Sequence, residues 1–250
     1  MLYRWSLVPL VLSVSLFASA QTADELVNKN IAAKGGMDKI KAIRTVRITS
    51  TVVLPGGFKG TAGQENQRPN LVRETFTVQG MTQVQAYDGT VGWQIQPFSG
   101  KKDPEFLGED DLRDLILDSD IDGPLVDYQA KGNKVEYLGH DSVDGDDALR
   151  LKVTFNSGDI VYYYLDPDTF LEIRKETQEF IRGSVRENAS EMGAYKPVGG
   201  VMYPFSLASG PKNDPAQWQT YTVDRMEVNI PLDNSEFAVP ASLKRKENTK

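Results

Sequence analysis

The sequence contains no cysteine. Disulfides, thiolate metal sites and cysteine nucleophiles are therefore excluded, as is the acylated cysteine that anchors a bacterial lipoprotein. Histidine is almost as scarce. With His140 alone, no multi-histidine metal site or pair of imidazole acid and base can be assembled. No Gly-x-Ser-x-Gly elbow, phosphate loop or dinucleotide fingerprint occurs. Basic clusters are missing too: the formal net charge is −7, and the one dense run, Lys244-Arg245-Lys246, lies in what reads as a solvated C-terminal tail. Nucleic acid is thereby excluded as a partner, because phosphate neutralisation needs clustered Lys and Arg.

Long apolar runs are absent as well. The longest, Leu7 to Phe17, is interrupted by Pro9, Ser13 and Ser15 and falls short of the roughly 20 residues a membrane span requires. Preceded by Arg4 and followed by Ala18-Ser19-Ala20, it has the order of a secretory signal with an A-x-A cleavage site. Residues 1–20 are expected to be removed on export, leaving a soluble periplasmic protein that is not itself a lipoprotein.

What is present is mostly alternation. Thr22-Ala-Asp-Glu25 forms a capping box, opening a helix whose stripe is Leu26, Val27 and Ile31; Gly35 and Gly36 stop it, and Met37, Ile40 and Ile43 suggest a second helical stretch. From Thr45 the period is two, with turns at Pro55-Gly56-Gly57, Arg68-Pro69-Asn70, Gly80, Asp88-Gly89, Asp144-Gly145, Ser157-Gly158, Asp166-Pro167-Asp168, Gly183 and Gly199-Gly200. Such short connections make neighbouring strands antiparallel. Between Lys101 and Gln129 the period reverts to helical, with Leu112, Leu115 and Ile116 in an acidic stretch. The expectation is a mainly β fold with some α: a single domain over residues 21–250, built as an incomplete antiparallel β-barrel of roughly eleven strands with a helical lid.

Arg68-Pro69-Asn70-Leu71, Asp88-Gly89, Trp93 and Pro97-Phe98 stand in the order and approximate spacing found in the periplasmic lipoprotein-carrier (LolA-like) family. The specific match covers residues 68–98, and Asp166-Pro167-Asp168 and Phe237-Ala-Val-Pro240 resemble the wider superfamily of outer-membrane lipoprotein-sorting-like proteins. Two departures stand out. Where the carriers have an aromatic residue after the Arg-Pro-Asn-Leu motif, this chain has Arg73 and Glu74, and it is longer than a typical carrier. The resemblance implies a half-barrel holding acyl chains under a helical lid, with the motif arginine, here Arg68, latching the lid through hydrogen bonds to helix carbonyls. A solvated arginine beside an edge proline is the plainer reading of the same residue.

Alternation places Trp93 with Ile95, Val72 with Phe76 and Val78, and Ile160 with Tyr162 and Tyr164. It leaves open whether they line a cavity or fill a core. The resemblance favours the cavity, and the expected hydrophobic lining is Phe76, Trp93, Ile95, Phe98, Leu112, Leu115, Ile116, Tyr162 and Tyr164. Asp118, Asp120, Asp122 and Gly123 match the start of a calcium loop, but the twelfth position is Gln129, which lacks the bidentate carboxylate. An acidic helix end and turn is the better reading. Asp144, Asp146 and Asp147 read as a hairpin turn.

The expected function is non-catalytic: binding of a lipid, acyl chain or lipoprotein-like cargo, with no cofactor and no metal. An envelope-stress sensor or scaffold that engages a protein partner through the same half-barrel is the alternative. A hydrolase working through carboxylates in the cleft is a third reading.

Overall fold

The computed structural model describes residues 22–181 and 183–243. The expected signal segment and the basic tail lie outside the described residues. The chain starts with two helices, α1 (Ala23–Ala33) and α2 (Met37–Ala42). Six strands follow: β1 (Thr45–Val53), β2 (Lys59–Gln67), β3 (Leu71–Val78), β4 (Met81–Tyr87), β5 (Gly92–Gln96) and β6 (Lys101–Phe106). Helix α3 (Glu109–Ser119) crosses to the second half, formed by β7 (Lys134–Val143), β8 (Asp146–Thr154), β9 (Ile160–Leu165), β10 (Glu172–Ile181), β11 (Ser184–Gly193), β12 (Lys196–Val198), β13 (Val201–Tyr203), β14 (Ser206–Pro211) and β15 (Gln219–Val228).

Thirteen strands make one antiparallel sheet in the order β6-β5-β4-β3-β2-β1-β15-β14-β11-β10-β9-β8-β7, while β12 and β13 pair separately. Nearly every neighbour is a sequential hairpin. The exceptions are β11–β14, which step past the β12–β13 hairpin, and β1–β15, with Val46 opposite Val228, which joins the two halves. Edges β6 and β7 do not meet, so the barrel stays open, with more strands than the periodicity suggested.

Local sequence accounts for most boundaries. Thr22 Oγ1 accepts from the Glu25 amide at 3.1 Å, capping α1 as expected. Gly35 ends the helix at φ +118°, and a Cβ there would lie 2.3 Å from the Gly200 carbonyl oxygen. The helix end thus packs backbone to backbone on the β12–β13 turn. Residues 101–106, read as helical, form edge strand β6 instead, where Pro104 can sit without leaving a ladder bond unmade. Pro204 separates β13 from β14 for the same reason.

The helices cover the concave face unequally. Leu26, Val27 and Ile31 of α1 and Ile40 of α2 pack with Leu149, Leu151 and Val153 of β8 and Val161, Tyr163 and Leu165 of β9 into the main core. That half is packed more densely, with a second opening left where β8–β10 face α3. Across β3 and β4, α3 contributes only Leu115, with Leu112 at its edge, against Val72 and Tyr87, and the remaining concave surface is left open.

Candidate functional site

The open part is a cavity of about 860 Å³ beside α3, lined from β1–β4, β11, β14 and β15. Its walls differ in character. Ile48, Phe76, Leu207, Val223 and Met226 provide apolar surface, whereas Gln64, Gln83, Gln85, Glu74 and Asp118 line it with polar groups. The strand registers explain the grouping: Gln64 faces Glu74, Glu74 faces Gln85 and Phe76 faces Gln83 across successive strands, so all project from one face. A second cavity of about 650 Å³ lies beyond α3, lined among others by Ile116, Asp118, Lys175 and Glu179.

Glu74 makes no side-chain hydrogen bond or ion pair among the described residues. Burial pushes its carboxyl up to about 8, and the carboxylates of Asp118 and Asp114 on α3 add to the rise. Asp118 is reached by solvent through both cavities yet surrounded by protein. That enclosure raises its carboxyl as well, Lys175 opposing and Asp114 adding. Glu179 of β10 is also raised, by burial and by Asp114, against the pull of Arg186.

Polar clamps hold α3 over the sheet. Asn66 Nδ2 donates to the Asp118 carbonyl oxygen at 2.7 Å, Arg113 reaches Asp159 in the β8–β9 turn at 3.2 Å, and Arg186 Nη2 bonds both Asp114 and Glu179 at 2.7 Å. Arg68, at the β2–β3 turn, joins the two lid segments. Its Nε donates to the Ile43 carbonyl oxygen at 2.7 Å and Nη2 to that of Ile40 at 3.2 Å, while the guanidinium fork grips Asp122 in the loop after α3. Lys41 of α2 meets the same carboxylate at 2.6 Å. Although burial disfavours charge on Asp122, the bonds from Arg68 and Lys41 outweigh it and hold the carboxyl below its ordinary value.

Of the residues expected to line the cavity, Phe76 does. Phe98 lies at the rim with its ring centroid 6.0 Å from that of Phe76. Ile116 lines the second cavity, whereas Leu112 and Leu115 form the contact that seats α3. The remaining four require correction. Trp93 and Ile95 face outward and pack against Val84, Ala86, Val239 and Leu243, with Trp93 Nε1 donating to the Phe237 carbonyl oxygen at 3.0 Å. The C-terminal segment covers them, so their apolar character serves the outer face. Tyr162 and Tyr164 face outward too, under the Arg150 guanidinium at 4.3 and 5.4 Å from their ring centroids. In β9 it is Val161, Tyr163 and Leu165 that point inward.

The acidic loop is not arranged as a metal site, and no group of three or more His, Asp or Glu side chains suited to a metal ion occurs among the described residues. Asp120 pairs with Lys131 and Asp122 with Arg68 and Lys41, so lysine and arginine neutralise the carboxylates that calcium would need. His140 is exposed on β7, 2.9 Å from Asp147, on the β7–β8 hairpin remote from the cavity. Sequence reasoning missed Glu74, the glutamines and the β14–β15 wall. Alternation of Tyr221 and Val223 was a usable signal, but the register shift opposite Thr49/Ser50 interrupts it before Met226.

No family model and no curated protein matches the chain. Solved structures do. A LolA superfamily protein from Nitrosomonas europaea superposes with a TM-score of 0.56 at 13% identity, covering 88% of this chain and 99% of that one. The fold is LolA-like. A domain described as an outer membrane lipoprotein-sorting protein, from Vibrio parahaemolyticus, gives a TM-score of 0.55 at 10% identity over 86% of this chain and 95% of that one. A DUF1329 family protein from Desulfovibrio piger gives 0.56 at 9% over 86% and 97%. Within this LolA-like fold, the polar wall around Glu74 is a feature of the chain's own residues.

Proposed function

We propose that this protein is a non-catalytic periplasmic carrier that holds an amphipathic, lipid-like ligand in the cavity beside α3. The observation that carries this reading is the cavity itself: about 860 Å³ of open space on the concave face, within the size range of small-molecule sites. An apolar chain laid along Ile48, Phe76, Leu207 and Val223 would gain about 25 cal/mol per Å² buried. Hydrogen-bonding head-group atoms would meet Gln64, Gln83, Gln85 and Glu74. The latch role of Arg68 belongs to the same proposal, since its four hydrogen bonds to Ile40, Ile43 and Asp122 are broken together if the lid segments part. Export rests on the signal pattern of residues 1–20.

The test is native mass spectrometry with lipid extraction on protein purified from its own cells without detergent, compared with the cavity-filling variant Ala62→Trp. A stoichiometric lipophilic adduct on the wild type, absent from a folded Ala62→Trp protein, supports the carrier and names the ligand class. Bare protein that takes up no added lipid overturns it and favours the scaffold that engages a protein partner.

A further inference from the structure

We propose that one rim of the half-barrel docks on the surface of an anionic lipid bilayer, through apolar side chains carried on the tips of four hairpins. The topology collects these tips at one end. Antiparallel order places the β1–β2, β3–β4 and β5–β6 turns together, and the register through β15 and β14 brings the β10–β11 turn to that end as well.

Five of the eight large hydrophobic side chains exposed among the described residues lie on these turns or at their mouths: Phe58 (60%), Met81 (40%), Phe98 (40%), Phe180 (65%) and Val185 (63%). Phe180 and Val185 are a cross-strand pair, so they present one joint apolar tip. Exposed apolar side chains scattered singly need no partner, but their collection at one end of the sheet marks a contact surface.

Charge selects the occupant. In a chain of net charge −7, residues 54–59, 78–82, 96–102 and 180–185 contain no Asp or Glu and hold Lys59, Lys101, Lys102 and Arg182; the β8–β9 and β14–β15 connections at the same end add Asp159, which Arg113 pairs, and one charge of each sign at Lys212 and Asp214. Lys101 pairs with Glu105, whereas Lys59 and Lys102 form no ion pair among the described residues. Aromatic and aliphatic tips flanked by lysine suit the boundary between acyl chains and anionic head groups. Separate protruding turns also conform to a deformable surface more readily than to a rigid protein face. The rim is continuous with the cavity, because Phe98 rests on Phe76 and Phe76 lines it.

The experiment is co-sedimentation of the full chain with vesicles of phosphatidylcholine alone, or of equal parts phosphatidylcholine and phosphatidylglycerol. All variants share the same termini, so differences report the rim. Wild type should sediment with the anionic vesicles, and less so as salt is raised. Phe58→Ser/Phe180→Ser/Val185→Ser, at exposed positions that leave the fold intact, should weaken binding by about tenfold or more; Lys59→Glu/Lys102→Glu should erase the preference for anionic lipid. Wild type remaining in the supernatant with both vesicles, or the serine variant binding like wild type, overturns the proposal. So does concentration-dependent self-association removed by the serine substitutions, which would assign the rim to a second copy. Ala62→Trp fills the cavity and leaves the rim untouched, so its retained vesicle binding separates this proposal from the carrier reading.

Discussion

Arg68 and Asp122 lie 54 residues apart in sequence and form a two-pronged ion pair in which the carboxylate is 4% exposed. The pair ties the β2–β3 turn to the loop after α3, and the same arginine holds the last carbonyls of α2. Removing the arginine strands a buried charge with only Lys41 beside it. Arg68→Met is therefore expected to destabilise by about 3 kcal/mol. Arg68→Met/Asp122→Leu should recover part of that loss, because no unpaired carboxylate remains. Denaturant unfolding of the two singles and the double measures the coupling, and strict additivity would show that the pair is not acting as a unit.

Asp122 and Glu74 should give opposite pH dependences. The Asp122 carboxyl is held below its ordinary 3.8, so its contribution is present above that value and is lost as pH falls through the lower folded value. Glu74 is raised from 4.5 to about 8. Its native state keeps a proton that the unfolded chain releases, so its penalty is absent below pH 4.5 and grows as pH rises to about 8. Glu74→Gln should match wild type at pH 4 and exceed it by roughly 1–3 kcal/mol at pH 9, a figure discounted because the side chain opens onto a wet cavity. Thermal unfolding across this range checks it, and parallel curves for the two proteins would contradict the raised carboxyl.

Residue chemistry explains which parts of this architecture were legible. Thr22, the paired glycines at 35 and 36 and the Asp144-Gly145 turn, at φ +53° and +97°, encode their geometry locally, and the structure follows them. The inward face of β9 was not legible, because the run Val161 to Leu165 is apolar at every position and carries no parity signal. Trp93 misled for a different reason. Both faces of its strand are covered, one by α3 and one by the segment around Val239 and Leu243, and alternation cannot say which apolar face is the cavity. Glu74 was visible only as a departure from the carrier pattern, and it became the least conventional group in the cavity.

The outward placement of Trp93 makes a clean contrast with the cavity. Trp93→Ala should cost about 3 kcal/mol or more through lost packing against Val239 and Leu243 and a lost hydrogen bond to the Phe237 carbonyl. Ligand affinity should be unchanged. Ala62→Trp should do the reverse, removing ligand with little change in melting temperature. Measuring both properties on both variants decides the matter, and loss of ligand from a folded Trp93→Ala protein would count against the placement.

Opening of α3 as a unit requires that it be less firmly held than α1. The two helices differ in what fastens them: α1 is embedded through fully buried Leu26 and its neighbours, whereas α3 relies on Leu115, Leu112 and a ring of polar clamps. The Asn66 to Asp118 carbonyl bond is deeply buried at its sheet end, with Asn66 4% exposed, as is Asp159 in the Arg113 clamp. Asn66→Ala should release about 1 kcal/mol of local stability, so amide exchange across α3 should accelerate by about fivefold while α1 keeps its protection. Raising salt should add to the effect by screening Arg186 from Asp114. If α1 exchange rises in step with α3, the two helices open together, and cargo entry would then require the main core to move with the lid.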